Sequence, residues 1–340
     1  MTEPVATAPR RGSWWLGLAL FSFVVAAQLP VAQTLLPVHE PLVLLIPMLA
    51  TCAIVGWWRG GNLWLAMSSL AATAWLVWWA VHDGTGSMVL TAGWSMMAAS
   101  CLGLSLLAAR SRWFLGKGVV AVLAALMLAS LLVVMTPSGT ASFNRTVKSV
   151  LEVRGNMDLE NWRKARVGMV RSNPARTDSA TTGMLDRMEQ QVSALPQLAQ
   201  QVLPSMLALQ TLTAMALAWA LFHRLSRVRL GDPLARLREF RFDDQWIWSV
   251  IVGLLVTLMP ALVALRPLGI NLLVFFGALY VIRGAAVLAW FLRPGRSLLG
   301  VLVGVALLLV LRDGAAIALG LVGLGDTWAD WRRRIRPAVS

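Results

Sequence analysis

The run from Ile270 to Leu292 is long enough to cross a bilayer, and it carries Arg283 slightly past its middle. A helix needs roughly 20 apolar residues to span the hydrocarbon core. A charge at that depth costs about 2.5–3.5 kcal/mol on insertion scales, so it faces protein, a water-filled cavity or an anion. A second run, Leu298 to Gly323, carries the neighbours Arg312 and Asp313 in the same way. The chain must therefore adopt a membrane fold that shelters charge inside it.

Further hydrophobic windows fall at 14–36, 41–58, 62–81, 87–109 and 114–136, then at about 196–222 and 246–265. Charged residues make up 14% of the chain, against roughly 25% in a soluble domain. The expected fold is all-α: a polytopic transmembrane bundle of about nine hydrophobic segments, with a small amphipathic helical segment outside the membrane. Arg312-Asp313-Gly314 divides the final run into pieces too short to span, which makes it broken or re-entrant. Arg10 and Arg11 before an apolar run resemble a signal peptide. However, the run from Trp14 to Leu36 is too long for one and lacks a small-x-small cleavage site, so it is expected to remain as the first helix. The boundaries that follow are a tail at 1–13, five helices over 14–136, the polar segment 137–195, a C-terminal membrane region 196–325 with a basic loop at 223–245, and a basic tail at 326–340.

Charge orients these segments. Arg10 and Arg11, Arg59, and Arg110, Arg112 and Lys117 alternate with joints that hold no lysine or arginine. The loop 223–245 is the densest short basic stretch, with Arg224, Arg227, Arg229, Arg236, Arg238 and Arg241. Cytoplasmic loops carry such an excess. The N-terminus and this loop are therefore expected in the cytoplasm and 137–195 outside, in the inner membrane of a bacterium. Arg332, Arg333, Arg334 and Arg336 leave the side of the last tail open. The same bias, with anionic lipid headgroups, accounts for the net charge of +14 without nucleic acid, since no basic helix or aromatic sheet motif accompanies it. Within 137–195, Val147, Val150 and Leu151, then Leu185, Met188, Val192 and Leu195, recur at helical spacing, and Asn173-Pro174 interrupts them. Two or three amphipathic helices are expected, on the membrane surface or over the bundle.

Two stretches bear a family likeness. Leu203-Pro204, Leu237-Arg238-Glu239-Phe240, Asn271-Leu272-Leu273, Tyr280-Val281-Ile282-Arg283-Gly284 and Gly323-Leu324-Gly325-Asp326, followed by Trp328, Asp330 and Arg332, resemble the YybS-like family of uncharacterised bacterial membrane proteins, a domain of unknown function. Arg283 departs from the uncharged polar residue usual before that glycine. The helix opened by Pro41-Leu42 and closed by Gly56-Trp57-Trp58-Arg59-Gly60-Gly61 resembles a joint in the substrate-binding subunits of energy-coupling-factor vitamin transporters. That likeness implies a helical bundle that holds a small nutrient.

Motifs for chemistry are missing from the sequence. It has no GK[ST] P-loop, HExxH or GxSxG. Cys52 and Cys101 are not spaced as a metal or redox pair. His39-Glu40 and His82-Asp83 could gather at the outer mouth of the bundle or simply cap helices. No catalytic residue, metal or cofactor is expected. The candidates for contact with a small-molecule ligand are Arg283, Tyr280 one turn earlier on the same face, Asn271, Arg312 and Asp313. Arg283 either binds a polar or anionic solute group or pairs with Asp313 as internal glue. Gln28, Gln33, Gln210 and Asn271 either line a polar path or hydrogen-bond between helices. Two functions follow: transport or binding of a small solute, or a non-transporting scaffold that meets a membrane-protein partner through its outer segment and basic loop.

Overall fold

A computed structural model describes residues 14–26, 36–38, 40–82, 84, 86–108, 113–172, 179–291 and 314–331. Among these residues every regular element is helical. Among the described residues six helical stretches are long and apolar enough to cross a membrane, and those at 244–258 and 315–329 are apolar but shorter. The chain is a helical membrane bundle, as its hydrophobic windows require.

The windows from 41 to 136 coincide with helices, and the first, 14–36, holds a helix over its described residues 14–26. α1 covers Trp14–Ala26, α2 Pro41–Trp58, α3 Leu63–His82, α4 Gly86–Ala108 and α5 Phe114–Met135. Two later boundaries differ from expectation. After α6, Gly139–Ser172, a single helix α7 runs over Ser179–Leu225 with Pro196 and Pro204 inside it, so Pro196 does not start a helix. The window 246–265 is interrupted: α8, Ile247–Leu258, ends at Met259, and a 3-10 turn at Pro260–Leu265 leads into α9, Arg266–Phe291. Pro260 biases Met259 away from helical backbone, and Met259 sits at φ −79°, ψ 116°. At 1.5 Å per residue α8 is about 18 Å long, short of a core of about 30 Å. The last helix, α10, spans Ala315–Ala329 and stops at Asp330, whose φ is +41°.

The helices fall into two compact units, residues 1–131 with 210–233 and residues 132–209 with 234–340. In the first, α2 packs against α3 and α4. Ser95 donates to the Val43 carbonyl at 2.6 Å, and the Trp94 indole donates to the Thr211 hydroxyl at 2.9 Å. The α2–α3 joint is a glycine cap. Gly60, at φ +87°, donates to the Trp57 carbonyl, and Gly61 donates to the Gly56 carbonyl. This pattern closes the last turn of a helix where only glycine fits easily.

In the second unit, α6 and the first half of α7 form an antiparallel hairpin. Arg163 and Arg166 hold Glu189, and Arg166 also reaches Asp186. A Cβ on Gly155 would strike Pro196. Leu151 and Leu185 are buried. The apolar stripes, expected to face a membrane surface or the bundle, are largely turned into the hairpin itself, although Met188 stays exposed.

Two carboxamides stand in for backbone. Gln210, buried, donates to the Val38 carbonyl and accepts from the Val38 N–H. The Asn271 Oδ1 accepts from the Ser205 N–H at 3.0 Å, and its Nδ2 donates to the Gln201 carbonyl at 2.8 Å. Those are the two ends of the bond that an unbroken helix would close just beyond Pro204. A side chain has entered the helical ladder, and in hydrocarbon no water could take its place. Asn271→Leu should lower stability by about 1–3 kcal/mol for each stranded backbone group, read as thermal unfolding in detergent. An unchanged midpoint would mean that the ladder recloses without Asn271.

Candidate functional site

The second unit collects charge around Arg283, whose side chain is only 2% exposed. Its Nε donates to Asp326 Oδ2 at 3.1 Å, and its Nη1 donates to Asp244 Oδ1 at 2.8 Å. Asp326 is fully buried, whereas the Asp244 side chain is 62% exposed. The guanidinium carbon lies 5.2 Å from the centre of the Phe242 ring. Phe242 meets Tyr280 edge-on at 5.0 Å and stacks on Trp246 at 5.3 Å, and Trp246 meets Phe276. Arg241 pairs with Asp330. The short stretch Arg241–Asp244 thus offers one cation to α10's end and one anion to α9.

Glycines bring the partners into reach. A Cβ on Gly284 would fall on the Leu319 carbonyl, and one on Gly323 would fall on the Tyr280 carbonyl. Here α9 and α10 touch backbone to backbone, the contact that small residues allow between membrane helices. Arg283 adjoins Gly284, and Asp326 lies one turn beyond Gly323. Asp330 closes α10 in the left-handed conformation that aspartate tolerates better than most residues. The Tyr280 hydroxyl approaches that of Thr327 without meeting hydrogen-bond geometry.

With two carboxylates on its nitrogens and an aromatic ring beside it, Arg283 is an ion-pair joint in this conformation. Charge on charge is what makes a buried guanidinium tolerable, and removing one partner strands the other.

The family described as "Predicted membrane protein (DUF2232)" matches residues 18–327. The chain belongs to the DUF2232 family of predicted membrane proteins. That match takes in the Tyr280–Gly284 and Gly323–Asp326 stretches and nearly all of both units, but it does not carry the YybS-like name. No curated protein and no solved structure matches the chain. The likeness of the Gly56–Gly61 joint to vitamin-transporter subunits gains no support, and a glycine cap of this kind can close any helix.

Within this DUF2232 member the sequence candidates separate. Arg283 and Tyr280 are neighbours in the charged and aromatic cluster, and both are buried. Asn271 sits elsewhere on α9, bonded to α7 backbone. Arg312 and Asp313, with Gln28 and Gln33, lie outside the described residues, and so do His39 and Asp83. His82 bonds to the Trp78 carbonyl. Among the described residues no three histidine, cysteine, aspartate or glutamate side chains gather as a metal set. The sequence leaves Arg283 either a solute group or Asp313 as partner, and Asp313 lies outside the described residues. The structure supplies Asp244 and Asp326, and with them Arg241, Phe242 and Asp330. Asp243-Asp244, an acidic pair closing a basic loop just before an apolar run, was the available signal for one of them.

Asp326→Asn should cost about 3–5 kcal/mol, because it leaves the buried guanidinium only the largely exposed Asp244. Asp244→Asn should cost about 0.2–1 kcal/mol, because its carboxylate is largely exposed. The double variant Arg283→Gln with Asp326→Asn should recover most of the loss, read as folded yield and thermal midpoint. Strictly additive losses would mean that the two side chains are not coupled.

Proposed function

We propose that this DUF2232 member is a non-transporting membrane protein that engages a partner protein through the α6–α7 hairpin. In this reading it lies in a bacterial inner membrane, with its N-terminus and the loop 223–245 in the cytoplasm and the hairpin outside. The observation that carries the reading is the hairpin's outer surface. It is held together by its own ion pairs, yet Val153 and Met157, and Met184 and Met188, stand exposed as neighbours one turn apart. Met157 is 60% exposed and Met184 61%. Unbranched methionines adapt to varied partner surfaces. The sealing of Arg283 by Asp244 and Asp326 supports the same reading, because a solute site would need that guanidinium open.

The rival reading is solute binding or transport centred on Arg283, and crosslinking separates the two. A photoreactive side chain at Met157 or Met184 should give adducts of discrete protein mass in intact cells. The same group at Val120, 60% exposed on α5, should label lipid. Lipid-only labelling at Met157 and Met184 would remove the basis of the proposal. Stabilisation of the purified chain by a metabolite, lost in Arg283→Gln, would replace it with the solute reading, since a true ligand stabilises the state it binds. Orientation has its own check: an impermeant thiol reagent should reach Met157→Cys in intact cells and Leu234→Cys only after lysis.

A further inference from the structure

The first unit holds a buried cation that no described residue neutralises. Lys117 is 3% exposed. Among the described residues it has no hydrogen-bond acceptor and no carboxylate partner; its one contact is the Trp219 ring, whose centre lies 6.0 Å from Nζ. The Arg59 guanidinium is close enough to repel it. Arg59 is also without a carboxylate among these residues: its nitrogens donate to the Leu230 and Leu106 carbonyls at 3.4 and 3.1 Å. A buried ammonium beside a second cation is costly unless an anion compensates it.

The fold supplies the rest of an anion site. Lys117 stands in the first turn of α5, where backbone N–H groups lack intrahelical acceptors and the helix dipole favours negative charge. Gly116 in the same turn faces open space. Arg59 is exposed, so the pair meets the protein surface at Arg59 while Lys117 stays buried. Exposed Trp57, Trp58, Trp64 and Trp113 mark the ends of α2, α3 and α5 that adjoin it, and such indoles sit at headgroup level.

We propose that Lys117, Arg59 and the first turn of α5 bind a phosphate group. The group would belong either to an anionic lipid headgroup or to a soluble phosphate compound. Basic pockets between membrane helices bind lipid head groups in this way. The site is independent of the hairpin and of the Arg283 cluster.

The test uses the full chain in nanodiscs of phosphatidylcholine, with thermal stability followed as phosphatidylglycerol or inorganic phosphate is added. Stabilisation by phosphatidylglycerol alone assigns the site to a lipid headgroup. Stabilisation by inorganic phosphate in phosphatidylcholine assigns it to a soluble compound. In either case Lys117→Gln and Arg59→Gln should each raise the half-effective concentration roughly tenfold or more, the worth of one charge-assisted hydrogen bond. Lys117→Arg should retain the response, and Lys164→Gln, which removes the same charge from the exposed side of α6, should not change it. If Lys117→Gln fails to fold, Arg59→Gln carries the comparison. No stabilisation by either addition, or a response in Lys117→Gln and Arg59→Gln equal to that of the unaltered chain, overturns the proposal.

Discussion

The second unit depends on one buried guanidinium having somewhere to place its charge. Arg283 reaches Asp326, 43 positions ahead, and Asp244, 39 positions behind. It thereby ties α9 to α10 and to the segment that enters α8. The pair becomes possible because Gly284 and Gly323 let two helix backbones meet. Glycine at the contact and charge beside it act together: the first gives proximity, and the second penalises separation. In lipid the apolar faces of helices have little reason to prefer one another over acyl chains, so close packing and polar pairing decide which helices associate.

The same constraint governs the backbone. Lipid offers no hydrogen bonds, so each interruption of a helix in the membrane must be closed from within the protein. Asn271 closes one opening beyond Pro204, Gln210 closes another at Val38, and Gly60 and Gly61 close the end of α2. Asn271 therefore reads as a structural splint, although a polar side chain on an apolar helix first suggests a solute path.

Among the described residues most helix limits are legible because a membrane helix is announced by length and hydropathy, which are local. α2 to α5 fall almost where their windows end. α7 was harder, since Pro196 looked like a start and its neighbours continue the helix regardless. The break at Pro260 lay in plain view but was concealed by an apolar run that continued across it. Partner choice was not legible. Asp313 lies outside the described residues; of the carboxylates described, Asp244 stands just before α8 and Asp326 near the end of α10, where a glycine contact that no spacing rule encodes brings it to Arg283. Lys117 was read only as one more loop charge, and its burial beside Trp219 needed the packing of α5 against the end of α7.

The account rests on Asp326 being an ionised carboxylate held by Arg283 in a dry setting. Infrared difference spectroscopy of the unaltered chain against Asp326→Asn at neutral pH tests this directly. The account predicts loss of carboxylate absorption with no change in the region of protonated carboxyl groups, and no change when water is exchanged for deuterium oxide. A protonated carboxyl band that disappears in Asp326→Asn, or shifts promptly on deuteration, would contradict it.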